Sequence, residues 1–322
     1  MKVLFMGTPA FAAVSLKSLL DAGHSVPAVV TRPDAAAGRG LTLRPSAVKT
    51  LAADQGITVL QPDRIKDPVF LDQIDAIAPE IVVVVAFGRL LPPRLLTTAP
   101  LGAVNLHASL LPKYRGAAPI PRAIARGETQ TGVTTMRMIE RLDAGDILLQ
   151  RVTPIAPEEN AGDLEARLAV MGAGLLLTTL KGLEAGSITP TPQDEAGATF
   201  APTLKKEDGL IDWTRPAEEI ARRVRAFDPR PGAYTRLAAP DARTLRVWMA
   251  RVDPAGAGGA EAGTVLSCVR GGDPSCRGLR VACGADTCLL LVTLQPEGRR
   301  RMTAAEVVSG RHLKEGDSLG GE

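Results

Sequence analysis

Residues Ile81 to Val85 read Ile-Val-Val-Val-Val, five β-branched apolar side chains in succession. Successive side chains of a strand point to opposite faces, so this run is apolar on both sides and has to be covered on both. Such strands belong inside parallel sheets with helices packed above and below. The neighbouring sequence supplies the rest of that sheet. Val3 to Met6 and Val26 to Thr31 are short apolar runs, Ile57 to Leu60 is a weaker one, and Ala103 to His107 follows further on. Helical patterns alternate with them, which predicts an open α/β sheet. Thr8 is expected to cap the first helix, with Pro9 at its first position. Thr131 to Ile155 is β-rich, and Asp163 to Leu183 reads as a closing helix.

Near residue 186 the character changes. Gly186 to Gly197 is rich in Pro, Thr, Gly and Gln, and Thr199 to Asp208 reads as an exposed connection ending in Lys205-Lys206-Glu207-Asp208. After a helix over Pro216 to Phe227 come brief strands punctuated by Gly and Pro: Thr244 to Met249, Gly263 to Val269, Leu279 to Cys283 and Cys288 to Leu294. That pattern suits a small barrel or sandwich. A chain of 322 residues has room for two domains. The expected division is a catalytic domain over 1–198, a linker over 199–208 and a β-domain over 209–322.

Charge follows the same division. The net +3 is unremarkable, but residues 1–200 carry 19 basic and 19 acidic side chains while 201–322 carry 19 and 16. Within 201–251 the count is 11 against 7. A basic second half suits a phosphate backbone, and with aromatics at 3% base stacking is not the main grip. The longest unbroken apolar run, Ile81 to Phe87, is far short of the roughly 20 residues of a membrane span, so no membrane partner is expected. Gly7-Thr8-Pro9 breaks the opening apolar stretch as strand, turn and helix do, not as a secretion leader does. Cys268, Cys276, Cys283 and Cys288 include no Cys-x-x-Cys pair and no nearby histidine, so no metal site is expected and the cytoplasm is the expected compartment. The first turn, Gly7-Thr8-Pro9-Ala10-Phe11, lacks the second and third glycines of a dinucleotide cradle, and Thr31-Arg32 ends the second strand without an acidic residue. No nicotinamide cofactor is expected.

The chemistry is carried by Asn105-Leu106-His107-Ala108-Ser109-Leu110-Leu111-Pro112. If 104–109 stay extended, Asn105, His107 and Ser109 share one face at the end of a buried strand. Asp143, in Arg141-Leu142-Asp143-Ala144-Gly145-Asp146, follows a strand and lies in a turn from which it can approach the same edge. An amide donates to a developing oxyanion, and an imidazole oriented by a carboxylate moves a proton. No Ser or Cys nucleophile accompanies them, which suits acyl transfer to a nucleophile carried by the substrate. A structural polar cluster is the competing reading.

His107-Ala108-Ser109-Leu110-Leu111-Pro112-Lys113-Tyr114-Arg115-Gly116, with Asn105 upstream and Leu142 to Asp146 downstream, resembles the signature of the folate-dependent formyltransferases. The likeness runs from Phe5-Met6-Gly7-Thr8-Pro9 through Ala86-Phe87-Gly88-Arg89-Leu90-Leu91-Pro92 and Glu207 to Trp213 to Leu294-Gln295-Pro296-Glu297-Gly298-Arg299-Arg300-Arg301-Met302. It implies a Rossmann-like α/β formyltransferase domain and a C-terminal OB-like β-barrel. It also implies 10-formyltetrahydrofolate as donor, the α-amino group of methionine on initiator tRNA as acceptor, and a cytoplasmic monomer. By the same resemblance Asn105, His107 and Asp143 are catalytic. Ser109, Leu110, Leu111 and Pro112, with Phe87, Gly88, Arg89 and Leu90, wall the folate pocket. Arg39, Arg44, Lys205, Lys206, Arg222 and Arg225 touch tRNA. The formyltransferases of amino-sugar nucleotides share the Asn, His and Asp set and remain an alternative, as does a tRNA-binding protein without catalysis.

Overall fold

A computed structural model describes residues 1–37, 42–237, 243–269, 271 and 277–320. The chain forms two compact units. Unit 1 comprises Met1–Pro119, Gln130–Pro154 and Leu164–Pro202; unit 2 comprises Ile120–Thr129, Ile155–Asp163 and Thr203–Glu322.

Unit 1 begins with β1 (Lys2–Gly7), α1 (Ala10–Asp21), β2 (Ser25–Val30) and the hairpin strands β3 (Ala35–Ala37) and β4 (Thr42–Arg44). It continues with α2 (Ala47–Asp54), β5 (Thr58–Leu60), α3 (Pro68–Ile77), β6 (Ile81–Val85), α4 (Pro93–Thr97) and β7 (Ala103–His107). Then come α5 (Pro119–Ala125), which lies almost wholly in unit 2, and β8 (Gln130–Arg137), β9 (Ile147–Pro154) and α6 (Ala161–Glu184). The sheet runs β5-β2-β1-β6-β7-β8-β9. Its first five members are parallel, and β8 and β9 are antiparallel. Every residue of β6 is at most 3% exposed, as its two-faced apolar run requires. Strand order reverses between β1 and β6, and open α/β sheets bind ligands at the carboxyl ends beside such a reversal.

The cap of α1 differs from expectation. Pro9, not Thr8, is the N-cap, because its carbonyl already accepts from the amides of Ala12 and Ala13. Thr8 is therefore one residue too early to cap, and its hydroxyl is buried without a hydrogen-bond partner. α6 is long and apolar enough to cross a membrane by length and composition alone, and over half of that stretch is buried. Its Gly172 lies against Leu106, since a Cβ there would come within 2.8 Å of the leucine methyl. α6 thus covers the face of β7 opposite Asn105 and His107.

Unit 2 holds α7 (Ala217–Ala226), β10 (Ala233–Arg236), β11 (Thr244–Asp253), β12 (Val265–Val269), β13 (Gly278–Cys283), β14 (Thr287–Pro296), β15 (Met302–Thr303) and α8 (Ala304–Ser309). These strands form an antiparallel sheet in the order β10-β11-β14-β13-β12, with β15 also on β14. Among the described residues β10 and β12 do not pair directly. Instead the C-terminal segment joins the two edges: Val265 N–H donates to Asp317 O, Leu319 N–H to Gly263 O and Gly320 N–H to Arg236 O, each at 2.9 Å. Ile220 and Val224 of α7 pack with Val247, Val281, Leu289 and Leu291 of the sheet in an apolar core. Trp213 is buried there with its indole N–H donating to Thr235 Oγ1 at 3.0 Å, which satisfies its one polar group.

Candidate active site

β7 ends at His107, so Ser109 lies past the strand in a bend instead of on its face. Asn105 and His107 do share a face, at 8% and 6% exposure. The strand pairs with β6 on one side and β8 on the other, so two polar side chains sit where apolar ones are the rule. Asn105 makes no side-chain hydrogen bond to another described residue. His107 Nε2 lies 2.9 Å from the Tyr114 carbonyl, which only accepts, so Nε2 carries a proton and in the neutral ring Nδ1 is the free lone pair. Asp143 Oδ2 faces that Nδ1 at 3.7 Å. The tautomer is fixed by a backbone carbonyl, and the carboxylate stands by as a charge partner.

Asp143 lies in a turn after a strand, and its route to this edge is long. β8 is antiparallel to β7, with Thr134 beside His107 and Arg137 beside Val104. The β8–β9 connection therefore leaves at the far end of β7 and folds back to bring Asp143 to His107. Arg137 N–H donating to Asp146 O at 2.9 Å closes the base of this loop. Asp143 occupies left-handed backbone (φ 47°), and its Oδ2 accepts from Gly116 N–H at 2.8 Å. Gly116 has φ 119°, and a Cβ there would lie 2.7 Å from the Ala201 carbonyl, so glycine is required.

The turn after β7 is held from within. Ser109 is fully buried, and its hydroxyl donates to Lys113 O at 2.6 Å. Thr134 Oγ1 donates to Ser109 O at 2.7 Å, and Gln150 Nε2 donates to Leu111 O at 2.9 Å. Leu111 is buried, while Leu110 and Pro112 are half-buried. Ser109 and Leu111 are thus committed to the fold, leaving Leu110 and Pro112 nearer solvent. Because β6 and β7 are adjacent and parallel, residues 86–90 and 108–112 leave neighbouring strand ends. Phe87 is buried, whereas Ala86, Gly88 and Leu90 are exposed, Leu90 at 61%. Arg89 donates to the carbonyls of Pro62 and Asp63 at 2.9 and 3.0 Å. Both carbonyls lie in the 61–67 connection, so Arg89 ties that connection to the turn after β6.

Arg39 lies outside the described residues. Arg44, Lys205 and Lys206 are exposed. Arg222 and Arg225 do not form the free cationic face that their helical spacing suggests. Arg225 donates to Glu159 O at 3.1 Å, and burial holds its pKa below the usual arginine value. Arg222 packs on Gly127, with its Nε buried and without a partner. Their face is covered by segments of unit 2 that neighbour α7 in space but not in sequence.

Two groupings escaped sequence reasoning. Gln193, in the Pro-, Thr- and Gly-rich stretch 186–197, hydrogen-bonds the Asp143 loop and the buried Arg115. In unit 2, Arg301 stacks on Trp248 with its Cζ 3.7 Å from the ring centroid, and Arg299 and Arg300 stand exposed beside it in sequence. The Arg-Arg-Arg run is visible in the sequence; its aromatic partner, some fifty positions earlier, is not.

Comparison with known proteins bears on the same elements. The family described as Formyl transferase matches residues 1–180, and the one described as Formyl transferase, C-terminal domain, matches residues 203–312. A methionyl-tRNA formyltransferase of Symbiobacterium thermophilum is 47% identical over 316 residues, covering 98% of this chain and 94% of its own. That of Solibacter usitatus is 47% identical over 320 residues, covering 99% of each. Among solved structures, HypX from Aquifex aeolicus in complex with tetrahydrofolic acid superposes with TM-score 0.64 at 18% identity. That match covers 96% of this chain, which spans about half of HypX (47%). WlaRD, a sugar 3N-formyl transferase, gives TM-score 0.65 at 15% identity, covering 93% of this chain and 99% of its own. At such identities these structures speak for the fold alone. The domain matches and the full-length relatives together show that the chain belongs to the formyltransferase family, in the branch of the methionyl-tRNA formyltransferases.

Proposed function

We propose that this protein transfers the formyl group of 10-formyltetrahydrofolate to the α-amino group of methionine esterified to initiator tRNA. The observation that carries the reading is the convergence of Asn105, His107 and Asp143 at one end of β7, with Asp143 brought there by a loop that returns from the opposite end. The folate donor fits what surrounds them. The exposed Ala86, Gly88 and Leu90, and the half-buried Leu110 and Pro112, flank the site from adjacent strand ends. When bound, the donor supplies an electrophilic formyl carbon. An α-amine titrates near about 8, so a useful fraction is neutral and nucleophilic at neutral pH. The Asn105 amide donates to the formyl oxygen as negative charge develops there. His107 takes up the amine's proton at Nδ1 with the Asp143 carboxylate stabilising the resulting imidazolium, and it returns that proton to the donor's nitrogen as the formyl–nitrogen bond breaks, which releases tetrahydrofolate.

The tRNA contacts of this reading are Arg39 and Arg44 in the catalytic half, Lys205 and Lys206 in the linker, and Arg299 and Arg300 of unit 2; Arg222 and Arg225, packed on Gly127 and Glu159, serve the fold of unit 2 first. The division of labour is a catalytic domain over 1–198, a linker over 199–208 and a tRNA-binding domain over 209–322, with segments 120–129 and 155–163 of the first stretch belonging to unit 2 by packing. We read the latter as an OB-like barrel, supported by the C-terminal segment that hydrogen-bonds both sheet edges. The enzyme works as a cytoplasmic monomer away from membranes: both substrates are soluble molecules, and one chain supplies the whole trio. The test is to incubate purified protein with 10-formyltetrahydrofolate and either methionyl initiator tRNA or a dTDP-amino sugar. Formylated methionyl-tRNA is expected. Formylation of the sugar alone overturns the acceptor, and formylation of neither leaves a binding protein.

A further inference from the structure

We infer that Gln193 is a positioning residue for Asp143, its amide held by the buried Arg115 guanidinium in the orientation that pins the returning β8–β9 loop. This rests on the reading that Asp143 serves formyl transfer. The loop leaves beside Val104 and must return about 10 Å, three residues of strand, to reach His107. A loop making that return needs tethers, and Gln193 supplies two: its Nε2 donates to Asp143 O at 2.9 Å and to Gly145 O at 2.7 Å. Both hydrogens of the amide are thereby used. Its Oε1 accepts from Arg115 Nε at 3.1 Å and Nη2 at 2.8 Å. Turning the amide over would set oxygen against two carbonyls and N–H groups against a guanidinium, so the network admits only one orientation.

Arg115 is itself buried and tethered. It is 3% exposed, and Glu195 takes its other two hydrogen bonds at 2.9 and 3.2 Å, so the buried charge is paired. Its flanking peptides reach the chemistry as well. The Tyr114 carbonyl receives His107 Nε2, and Gly116 N–H donates to Asp143 Oδ2. The 114–116 segment holds the imidazole and the carboxylate from the backbone side, and through Gln193 it also holds the backbone of Asp143. The fit on the loop's other side is close. A Cβ at Gly145 would lie 1.9 Å from the Arg137 carbonyl, so the loop has no room to shift inward to compensate for a missing tether.

The experiment compares Gln193→Leu and Gln193→Glu with the unaltered protein, and repeats both in an Asp143→Asn background. Leucine keeps the volume and removes every hydrogen bond; glutamate keeps the oxygen that Arg115 needs and removes the donors. Each variant is expected to lower kcat by about 30- to 100-fold, the penalty of an ångström-scale displacement, with KM for donor and tRNA unchanged. In the Asp143→Asn background the same changes are expected to cost less than about twofold more, because residues acting as a unit are not additive. Unchanged kcat in a folded variant, or the same loss in both backgrounds, overturns the proposal. Gln193→Glu decides the matter if Gln193→Leu does not fold. Full turnover by Asp143→Asn alone defeats the reading of Asp143 itself, whatever Gln193 does.

Discussion

Asn105 and His107 lie almost out of solvent at the end of β7, whereas Arg299 and Arg300 of unit 2 stand in it. The first region depends on placement. His107 is oriented by one carbonyl, Asp143 by one backbone amide, and both partners come from the three residues 114–116. In the proposed tRNA contact the second depends on charge density, since a phosphate backbone is attracted by cations at many nearby positions and tolerates small displacements. A site of the first kind fails when a single atom moves, while a surface of the second kind weakens in proportion to the charges removed.

That contrast is broken most severely by removing a donor. Asn105→Ala is expected to lower turnover by about 10²–10³-fold, the usual cost of losing an oxyanion donor, while tRNA retention on a filter stays unchanged. A parallel loss of tRNA binding would merge the two regions. Next is Gly145→Ala, which adds one methyl against the Arg137 carbonyl. It is expected to cost about 10²-fold in kcat through displacement of Asp143, read in a saturated formyl-transfer assay.

The cationic surface should respond differently. Arg299→Ala with Arg300→Ala is expected to raise KM for tRNA by about 10-fold at low salt and to leave kcat unchanged. The salt slope should fall by up to about one unit for each phosphate that is no longer neutralised. The smallest effect concerns Glu306, whose capping box with Thr303 and ion pair with Arg300 hold its carboxyl down to about 2 from an ordinary 4.5. A carboxyl depressed by folding adds stability above its ordinary pKa, and that stability is lost as pH falls through the depressed value. Glu306→Gln is therefore expected to lower the melting temperature slightly at pH 7, with the difference shrinking as pH falls from 4.5 toward 2.

Much of this was legible because it is local. Ile81 to Val85 can only be a strand covered on both faces, and Asn105 and His107 need only the two-residue period of β7 to share a side. What was not legible depends on direction and distance. The antiparallel sense of β8, which sends Asp143 on its return, leaves no trace in residue types. Gln193 sits among prolines and threonines, and its partner Arg115 is 78 positions away. The helical spacing of Arg222 and Arg225 put them on one face, but only tertiary packing decides that Gly127 and Glu159 cover that face. Thr8 has the right chemistry for a cap and is one residue out of place, because Pro9 takes that position.

The central claim is that an amide, an imidazole and a carboxylate at the end of β7 perform formyl transfer while tRNA is held elsewhere. It is tested most directly by single-turnover formylation of methionyl initiator tRNA with His107→Ala, alongside tRNA affinity and the melting temperature. The transfer rate is expected to fall by about three orders of magnitude, with tRNA affinity and the cooperative unfolding transition retained. A transfer rate near that of the unaltered protein would contradict it.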